Sequence, residues 1–448
     1  MNCRLNHPEV LRLKQRKVVL VTFGSLGDLH PYVALALELR QRGHHPVLAA
    51  NNSHRSVVEA EGIEFHAIRP DVGDFGDESE LMRKVMDLKS GPEYVIRQLL
   101  MPNLSASYAD LDRACEGAAL LVSHPLTLTA PLVAERRRDR GLIWASVAIA
   151  PSVFLSAYDP PVFAPAPWLI HFRALGPRFY RSLLSLITST THKWIEPWHR
   201  FRSELGLPPT SSNPMFDGQF SPDLVLALFS PLLAQPQPDW PAHAIVTGFP
   251  FYDRRGQFAV LDPEMESFLN AGEAPIVFTL GSSAVMKADD FYSESAEAAR
   301  LLRRRALLLI GRDTRNRPHR LPDGVAVFEY APFSLLLPRA LAVVHQGGVG
   351  TTAQAMRAGK PMLVVPFGFD QPDNAARLER IGISRTLARK RYNRKTAAAE
   401  LQLLLADSQY VAKAHEIGLK VNKENGAVEA CNAMEALMDC IDPSNAPD

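Results

Sequence analysis

Several classes of protein are excluded by what this chain lacks. The four cysteines among its 448 residues lie at positions 3, 115, 431 and 440, a spacing that matches neither a disulfide framework nor a zinc site. The formal net charge of +1 provides no long-range attraction for nucleic acid. No run of about 18 apolar residues occurs, and no signal-peptide pattern opens the chain. We therefore expect reduced thiols, a cytoplasmic location, no nucleic-acid partner and no stable insertion into a membrane.

Length and periodicity predict a two-domain α/β protein. A chain of 448 residues with 46% hydrophobic content is too long for one ordinary core and suits two domains of about 200 residues each. Short apolar runs alternate with helical patterns in both halves, which is typical of parallel sheets covered by helices on both faces. Strands are predicted at 17–23, 46–50, 64–68, 119–123, 142–147, 224–228, 276–280, 306–310, 325–328, 342–344 and 362–365.

A proline-rich segment from Pro231 to Pro250 marks the predicted crossing between the domains. We predict a flexible lead over 1–16, an N-terminal domain over 17–240, a C-terminal domain over 241–420 and a final helix over 421–448. The alternation of strands and helices breaks between about 71 and 118 and again between 151 and 215. The second interruption is rich in aromatic residues, and it either lines a pocket or packs on its own domain.

The most informative stretch is His345-Gln-Gly-Gly-Val-Gly-Thr-Thr, followed by Pro366-Phe-Gly-Phe-Asp-Gln. The first part is typical of a strand end, a glycine turn and the start of a helix. Glycines let the backbone approach a ligand closely, and a helix N-terminus directs free N–H groups toward an anion. A diphosphate suits that position, with His345 as an additional donor. Asp370 and Gln371 offer a carboxylate and an amide for sugar hydroxyls.

The span from Tyr330 through Asn374 resembles the nucleotide-sugar signature of family 1 glycosyltransferases with the GT-B fold. The similarity reaches the N-terminal half, where Phe23-Gly-Ser-Leu-Gly-Asp-Leu-His-Pro31 resembles the acceptor-side loop of sterol glucosyltransferases. Other segments, including Thr247-Gly-Phe-Pro250 and Phe278-Thr-Leu-Gly-Ser-Ser283, are similar to the rhamnosyltransferases of rhamnolipid synthesis. The resemblance covers nearly the whole chain in the same order.

This resemblance implies two Rossmann-like β/α/β domains that face each other across a cleft. It also implies a nucleotide-sugar donor and a hydrophobic acceptor such as a sterol, lipid, flavonoid or other natural product. The nucleotide sugar is a co-substrate, so no cofactor is expected. Acceptor contacts are predicted at Gly27, Trp168 and Phe172. The predicted donor-binding residues are Gly281, Ser282, Ser283, Tyr330, Ala331, His345, Gly347, Gly348, Gly350, Thr351, Asp370 and Gln371.

Asp28 is the predicted general base, because it follows the first strand in a glycine-rich turn. Burial in a cleft is expected to raise its pKa and so make it a stronger base. The alternative is that Asp28 only caps the helix predicted to begin near Pro31. His30 could serve as base, orient the acceptor or lie at the surface. His124 follows a strand. It could form a hydrogen bond to Asp28 or to the acceptor, and the alternative is a purely structural role.

The predicted reaction is an inverting, metal-independent transfer of a hexose, with UDP-glucose favoured over dTDP-rhamnose as donor. A sugar-nucleotide epimerase of the same architecture and a catalytically silent sugar-nucleotide-binding protein are the competing hypotheses. Two basic triplets, Arg136–Arg138 and Arg303–Arg305, are interpreted as solvated helix ends. Transient contact with an anionic membrane is the alternative for them.

Overall fold

The computed structural model describes residues 15–76, 78–87, 90–253 and 260–441. Most of the predicted lead, and the last residues of the predicted final helix, therefore lie outside the described residues. The described strands are, in chain order, β1 (Lys17–Val21), β2 (His45–Ala50), β3 (Glu64–Ala67), β4 (Leu120–Ser123), β5 (Ile143–Ala148), β6 (Leu224–Ala227), β7 (Ala244–Val246), β8 (Ile276–Thr279), β9 (Ala306–Leu309), β10 (Val325–Phe328), β11 (Ala342–His345), β12 (Met362–Val364) and β13 (Ser384–Thr386).

These strands form two parallel sheets, one in each half of the chain. The first has seven strands in the order β3-β2-β1-β4-β5-β6-β7, and the second has six in the order β10-β9-β8-β11-β12-β13. In each sheet the chain first adds strands on one side of the domain's first strand, β1 or β8, and then adds the remaining strands on its other side. In open α/β sheets this change of side opens a crevice at the carboxyl ends of the strands, where ligands bind.

Helices cover both faces of each sheet. The α-helices of the described residues are α1 (Leu26–Gln41), α2 (Arg55–Ala60), α3 (Glu78–Val85), α4 (Gly91–Tyr94), α5 (Leu104–Ala114), α6 (Ala130–Arg137), α7 (Gly176–Ser189), α8 (Glu196–Glu204), α9 (Pro263–Asn270), α10 (Phe291–Leu302), α11 (Phe333–Leu336), α12 (Val349–Arg357), α13 (Gln371–Arg380), α14 (Arg394–Ala406), α15 (Ser408–Val421) and α16 (Gly426–Ile441). Within the described ranges, none of these is long and apolar enough to cross a lipid bilayer.

The boundary predicted at residue 240 is wrong for the first sheet. The strand β7 was not predicted, and it pairs with β6 through Val225↔Ala244 and Ala227↔Val246, so the first sheet continues past residue 240. At the other end of the chain, α16 packs on α1 of the first domain. Arg42 and Glu435 form an ion pair of 2.5 Å, and Met434 is fully buried in the first domain's core.

Both interruptions of the first domain reach across to the second. Met86, next to α3, lies in the apolar core of the second domain beside Val285. We call residues 159–162 the strap, because this segment contacts α13. The amide of Val162 donates to Asp373 over 3.0 Å.

Charged groups complete the contact between the strap and α13. Asp159 pairs with Arg377, and with Arg380 at 3.0 Å. Arg377 also donates to Asp373 over 2.7 Å. Burial opposes the charge on Arg377, but the two carboxylates outweigh that effect and raise its pKa. The strap therefore holds the two domains together beside the residues that follow β12.

Candidate active site

Asp28 lies in the first turn of α1, which begins at Leu26 and not near Pro31 as predicted. Ser25 is the N-cap, and it forms a capping box with Asp28. One Asp28 oxygen, Oδ2, accepts hydrogen bonds from the Ser25 amide at 2.7 Å and from the Ser25 hydroxyl at 3.1 Å. A Cβ atom at Gly24 would lie 2.3 Å from the same oxygen. The turn therefore fixes the orientation of the carboxylate. Asp28 helps to cap the helix, as the alternative prediction stated, and it also lies where the first domain meets the second.

The electrostatics of Asp28 contradict the expected direction of its pKa shift. Burial by itself raises the pKa, but the nearby His124 imidazole and the Ser25 donors outweigh it, and the pKa lies below its ordinary value. The Asp28 side chain remains 25% exposed, so it is accessible from the cleft. Asp28 is therefore ionised at neutral pH, because local donors stabilise the charged form.

His124 follows β4 and points its ring at Asp28. The amide of Leu126 donates to His124 Nδ1 over 3.1 Å, which requires an unprotonated Nδ1 and places the proton on Nε2. Nε2 lies 3.5 Å from Asp28 Oδ1, a distance at the limit of a hydrogen bond, so the contact is mainly electrostatic. In this tautomer the buried Nε2–H of His124 faces the Asp28 carboxylate and stabilises its charge without forming a hydrogen bond.

The structure does not bring His30 to Asp28. Residues two apart on a helix point about 200° from one another, and the His30 ring packs against Tyr252 with centroids 5.1 Å apart. Tyr32, four residues from Asp28, shares its face instead and lies 6.1 Å from the His124 ring. A catalytic role for His30 stays a prediction without support from this placement.

His345 ends β11 in the second domain and is fully buried. The Gly347 amide donates to His345 Nδ1 over 3.1 Å, so the proton again lies on Nε2. That nitrogen has no hydrogen-bond partner among the described residues. Burial lowers the pKa of His345 to about 3, so the imidazole is neutral and presents one N–H donor without a partner.

The glycines after His345 allow the chain to turn into α12. Gly347 has φ +91°, and a Cβ there would lie 2.8 Å from Val364 and 3.0 Å from the Gln371 carbonyl. Gly348 is the N-cap of α12. A Cβ at Gly350 meets nothing within 4 Å, so the first turn of α12 faces open space. Thr351, also in that turn, is buried.

Asp370 and Gln371 stand at the start of α13. Asn374 donates to Asp370 Oδ2 over 2.7 Å, which leaves the second carboxylate oxygen for a ligand. Burial raises the pKa of Asp370 to about 7 against the lowering effect of Asn374, and the charge of Asp28 adds to the rise. The Gln371 side-chain oxygen accepts from the Phe367 and Gly368 amides, so its amide nitrogen is the group oriented to donate.

The residues after β8 meet the residues after β1 across the cleft. Ser282 donates from its hydroxyl to the Ser25 hydroxyl over 3.1 Å, and a Cβ at Gly27 would lie 3.9 Å from the Ser282 hydroxyl. Gly281 has φ +64°, and a Cβ there would clash at 2.4 Å with Gln346. One crevice therefore contains Asp28 from the first domain and Ser282 and Asp370 from the second.

The other predicted contacts are placed less centrally. Ser283 begins the short helix Ala284–Lys287, Tyr330 is half exposed and Ala331 is buried. Trp168 and Phe172 are 57% and 42% exposed, and their rings contact each other edge to face at 6.0 Å. This exposure does not favour the lining of a closed pocket, and their role in acceptor binding stays a prediction.

Three residues that support the candidate site were not among the predicted site residues. Ser25 holds Asp28, Asn374 holds Asp370, and Gln346 packs between the glycine turns. The spacing Ser25-x-x-Asp28 is a capping-box signal that predicts the helix start. The four-residue spacing between Asp370 and Asn374 indicates neighbours on one helix face, whereas nothing local indicates the position of Gln346.

Comparison with known proteins places this geometry in a family. Residues 302–437 match the model of the erythromycin biosynthesis protein CIII-like C-terminal domain, and residues 18–106 match the glycosyltransferase family 28 N-terminal domain. An O-mycaminosyltylonolide 6-deoxyallosyltransferase of Streptomyces fradiae is 33% identical over 96% of this chain and 100% of its own length. A sterol 3-beta-glucosyltransferase of Leptosphaeria maculans is 27% identical over 94% of this chain, which spans 29% of that longer protein.

Solved structures show the same architecture. The glycosyltransferase of kitacinnamycin matches with a TM-score of 0.70 at 19% identity, over 95% of this chain and 100% of that one. The glycosyltransferase VinC in complex with dTDP matches with a TM-score of 0.67 at 18% identity, over 95% and 100%. These likenesses establish the fold, and the 33% identical relative establishes the family. The chain is an enzyme that belongs to the family 1 glycosyltransferases with the GT-B fold.

Proposed function

We propose that the chain transfers a hexose from a nucleoside diphosphate to a hydroxyl of a hydrophobic acceptor, with inversion at the anomeric carbon. The observation that carries the proposal is the position of Asp28 opposite Ser282 and Asp370 in one crevice. A base on one wall and sugar-binding groups on the other suit displacement of a leaving group by an acceptor held between them.

Asp28 acts as the general base in this proposal. As the acceptor oxygen forms its bond to the anomeric carbon, the hydroxyl proton passes to the Asp28 carboxylate and the bond to the diphosphate oxygen breaks. His124 keeps the carboxylate oriented through its Nε2–H. The lowered pKa of Asp28 favours proton transfer late in the reaction, when the acceptor oxygen has become more acidic.

The second domain binds the donor. The Nε2–H of His345 and the N–H groups at the start of α12 stabilise the negative charge that develops on the diphosphate. Ser282 and Ser283 add hydroxyl donors, and Tyr330 with Ala331 adjoin the nucleotide base. Asp370 and Gln371 bind the sugar hydroxyls. Because neutral donors of the chain supply this stabilisation, we propose that the transfer needs no metal ion.

The donor is proposed to be UDP-glucose, because Asp370 and Gln371 provide an acceptor and a donor for hydroxyls around the sugar ring. A dTDP-activated 6-deoxyhexose such as dTDP-rhamnose is the second candidate, because the 33% identical relative is named as a 6-deoxyallosyltransferase. The acceptor is proposed to be a sterol or another apolar natural product, in line with the names of the relatives. We place Gly27 next to the hydroxyl of the acceptor that reacts.

The test incubates the purified chain with UDP-glucose or dTDP-rhamnose and a panel of apolar alcohols and phenols, with and without EDTA. Acceptor-dependent release of nucleoside diphosphate, insensitive to EDTA, supports the proposal. Inversion is checked from the anomeric configuration of the product by NMR. Conversion of the sugar without an acceptor would instead establish an epimerase, and binding of the donor without turnover on any acceptor would establish a silent binding protein.

A further inference from the structure

An exposed apolar surface lies on the second insertion of the first domain. The 3₁₀ segment Pro167–Leu175 and α7 carry it, and we call it the aromatic face. Several large apolar side chains are exposed together here: Trp168 by 57%, Leu175 by 56% and Leu186 by 64%. Contiguous exposed apolar patches mark sites of interaction.

The rings of the aromatic face form one connected cluster. Phe172 contacts Trp168 at 6.0 Å and Phe179 at 6.2 Å between ring centroids. The opposite side of α7 is anchored, because Tyr180 and Leu184 are buried against Ala157. The apolar side chains therefore point outward from a fixed helix, and their exposure is not the result of a loose segment.

The charges within the span that carries the aromatic face are of one sign. Residues 160–195 contain no Asp or Glu, while Arg178, Arg181 and Lys193 in the same span are exposed. The nearest preceding carboxylate, Asp159, is neutralised by Arg173, Arg377 and Arg380. A helix with Trp, Phe and Leu beside Arg and Lys is typical of segments that lie in the interface of a bilayer.

We propose that the aromatic face docks reversibly on an anionic lipid surface, with the aromatic rings in the interface and the basic side chains on the lipid headgroups. Charge complementarity decides between this occupant and a second copy of the chain, since two faces of the same positive sign repel each other. This surface is separate from the basic triplets at Arg136–Arg138 and Arg303–Arg305. Docking would hold the first domain at the bilayer, and the inference does not depend on which sugar is transferred.

The first experiment is sedimentation of the full chain with sucrose-loaded vesicles of phosphatidylcholine, alone or with 30% phosphatidylglycerol, at low and high salt. We expect pelleting only with the anionic vesicles and only at low salt. Arg178→Glu/Arg181→Glu should weaken it by at least roughly thirtyfold, because each basic residue adds to the attraction. The matched control, Lys390→Glu/Arg391→Glu, removes the same charge from an exposed segment elsewhere and should pellet like the wild type.

A second pair of variants tests how much the apolar side chains contribute to vesicle binding. Phe179→Ser/Leu186→Ser should reduce pelleting at least tenfold, whereas Leu419→Ser, at a leucine that is 56% exposed on α15, should not. Brominated acyl chains should quench part of the tryptophan fluorescence, and Trp168→Phe should remove that part while pelleting persists. Circular dichroism of each variant verifies that it is folded.

Three results would overturn the proposal. The first is no pelleting of the wild type with anionic vesicles at low salt. The second is equal loss in the control and aromatic-face variants. The third is a dimer, seen by light scattering, that becomes a monomer in Phe179→Ser/Leu186→Ser, which would identify the face as a contact between copies. Retained glycosyl transfer to a soluble acceptor by Arg178→Glu/Arg181→Glu would show that the proposed function stands regardless of the docking result.

Discussion

Two histidines occupy equivalent places in the two halves of the molecule. His124 follows β4, which pairs with β1, and His345 ends β11, which pairs with β8. In each case the backbone amide two residues on donates to Nδ1 and places the proton on Nε2. The difference is what faces that proton. Neither Nε2 makes a hydrogen bond among the described residues, but that of His124 lies 3.5 Å from the carboxylate of Asp28.

The comparison shows how one local motif can serve two purposes. With a carboxylate in front of it, the N–H stabilises the charge of Asp28, the proposed base. Without one, the same N–H is available for the negative group that the proposed donor would bring.

The largest effect should follow from removing the base. Asp28→Asn keeps the size of the side chain and an oxygen for the Ser25 donors, but its amide cannot accept a proton. We expect turnover to fall by about 10²–10⁴-fold while donor affinity, measured by calorimetry with the nucleoside diphosphate, is maintained. Near-normal turnover of the pure variant on a genuine acceptor would remove Asp28 from the mechanism.

Next in size is the loss of the donor-side histidine. His345→Ala removes a neutral N–H from a negatively charged ligand, and we expect the Kd for the nucleoside diphosphate to rise roughly tenfold to a hundredfold. His124→Ala should leave that Kd unchanged, which makes it the matched control. If the two variants weakened donor binding equally, the assignment of opposite roles would be wrong.

His124 itself should have a smaller effect on rate and a distinct effect on pH dependence. We expect turnover of His124→Ala to fall about tenfold. Its contact lowers the pKa of Asp28, so its removal raises that pKa and moves the acid limb of the kcat profile to higher pH. His124→Gln, whose amide can still donate, should recover part of the rate. An unmoved acid limb would indicate a purely structural role.

The smallest expected effect is the pH dependence of donor binding. Asp370 has a pKa of about 7, above the ordinary value, so it gains a proton as the pH falls through neutrality and accepts fewer hydrogen bonds from sugar hydroxyls. The KM for the donor should rise roughly severalfold between pH 8 and pH 6, with kcat at saturating donor little changed. Asp370→Asn should abolish this dependence, and a variant that retains it would place the titrating group elsewhere.

Most of the fold could be predicted from the sequence, because buried parallel strands are continuous apolar runs. The two strands that were missed, β7 and β13, are three residues long, lie at the sheet edges and are only partly buried. Such strands lack a hydrophobic run by which they could be recognised. The early start of α1 was missed because the glycine and proline near Asp28 favoured a turn, although Ser25 signalled a cap.

The sequence predicted which residues of the candidate site come together better than it predicted their electrostatics. The predicted donor residues from His345 to Gln371 lie within a short span around β11 and β12, so their convergence followed from the order of the strands. The contact between Asp28 and His124 joins residues far apart in the sequence, yet it was one of the alternatives predicted for His124, because each residue follows a strand of the first sheet. The prediction that the pKa of Asp28 is raised considered burial alone, whereas His124 and the Ser25 donors together lower it.

The strap described above has a consequence for how substrates enter and leave. If the two halves move apart to release product, Asp159 must separate from Arg377, whose charge is held largely out of water. Each charge would keep a partner in its own half, because Arg377 also pairs with Asp373 and Asp159 also pairs with Arg173. Opening therefore breaks the ion pairs between the halves without leaving an isolated buried charge in either, and the same pairs can form again when the cleft closes.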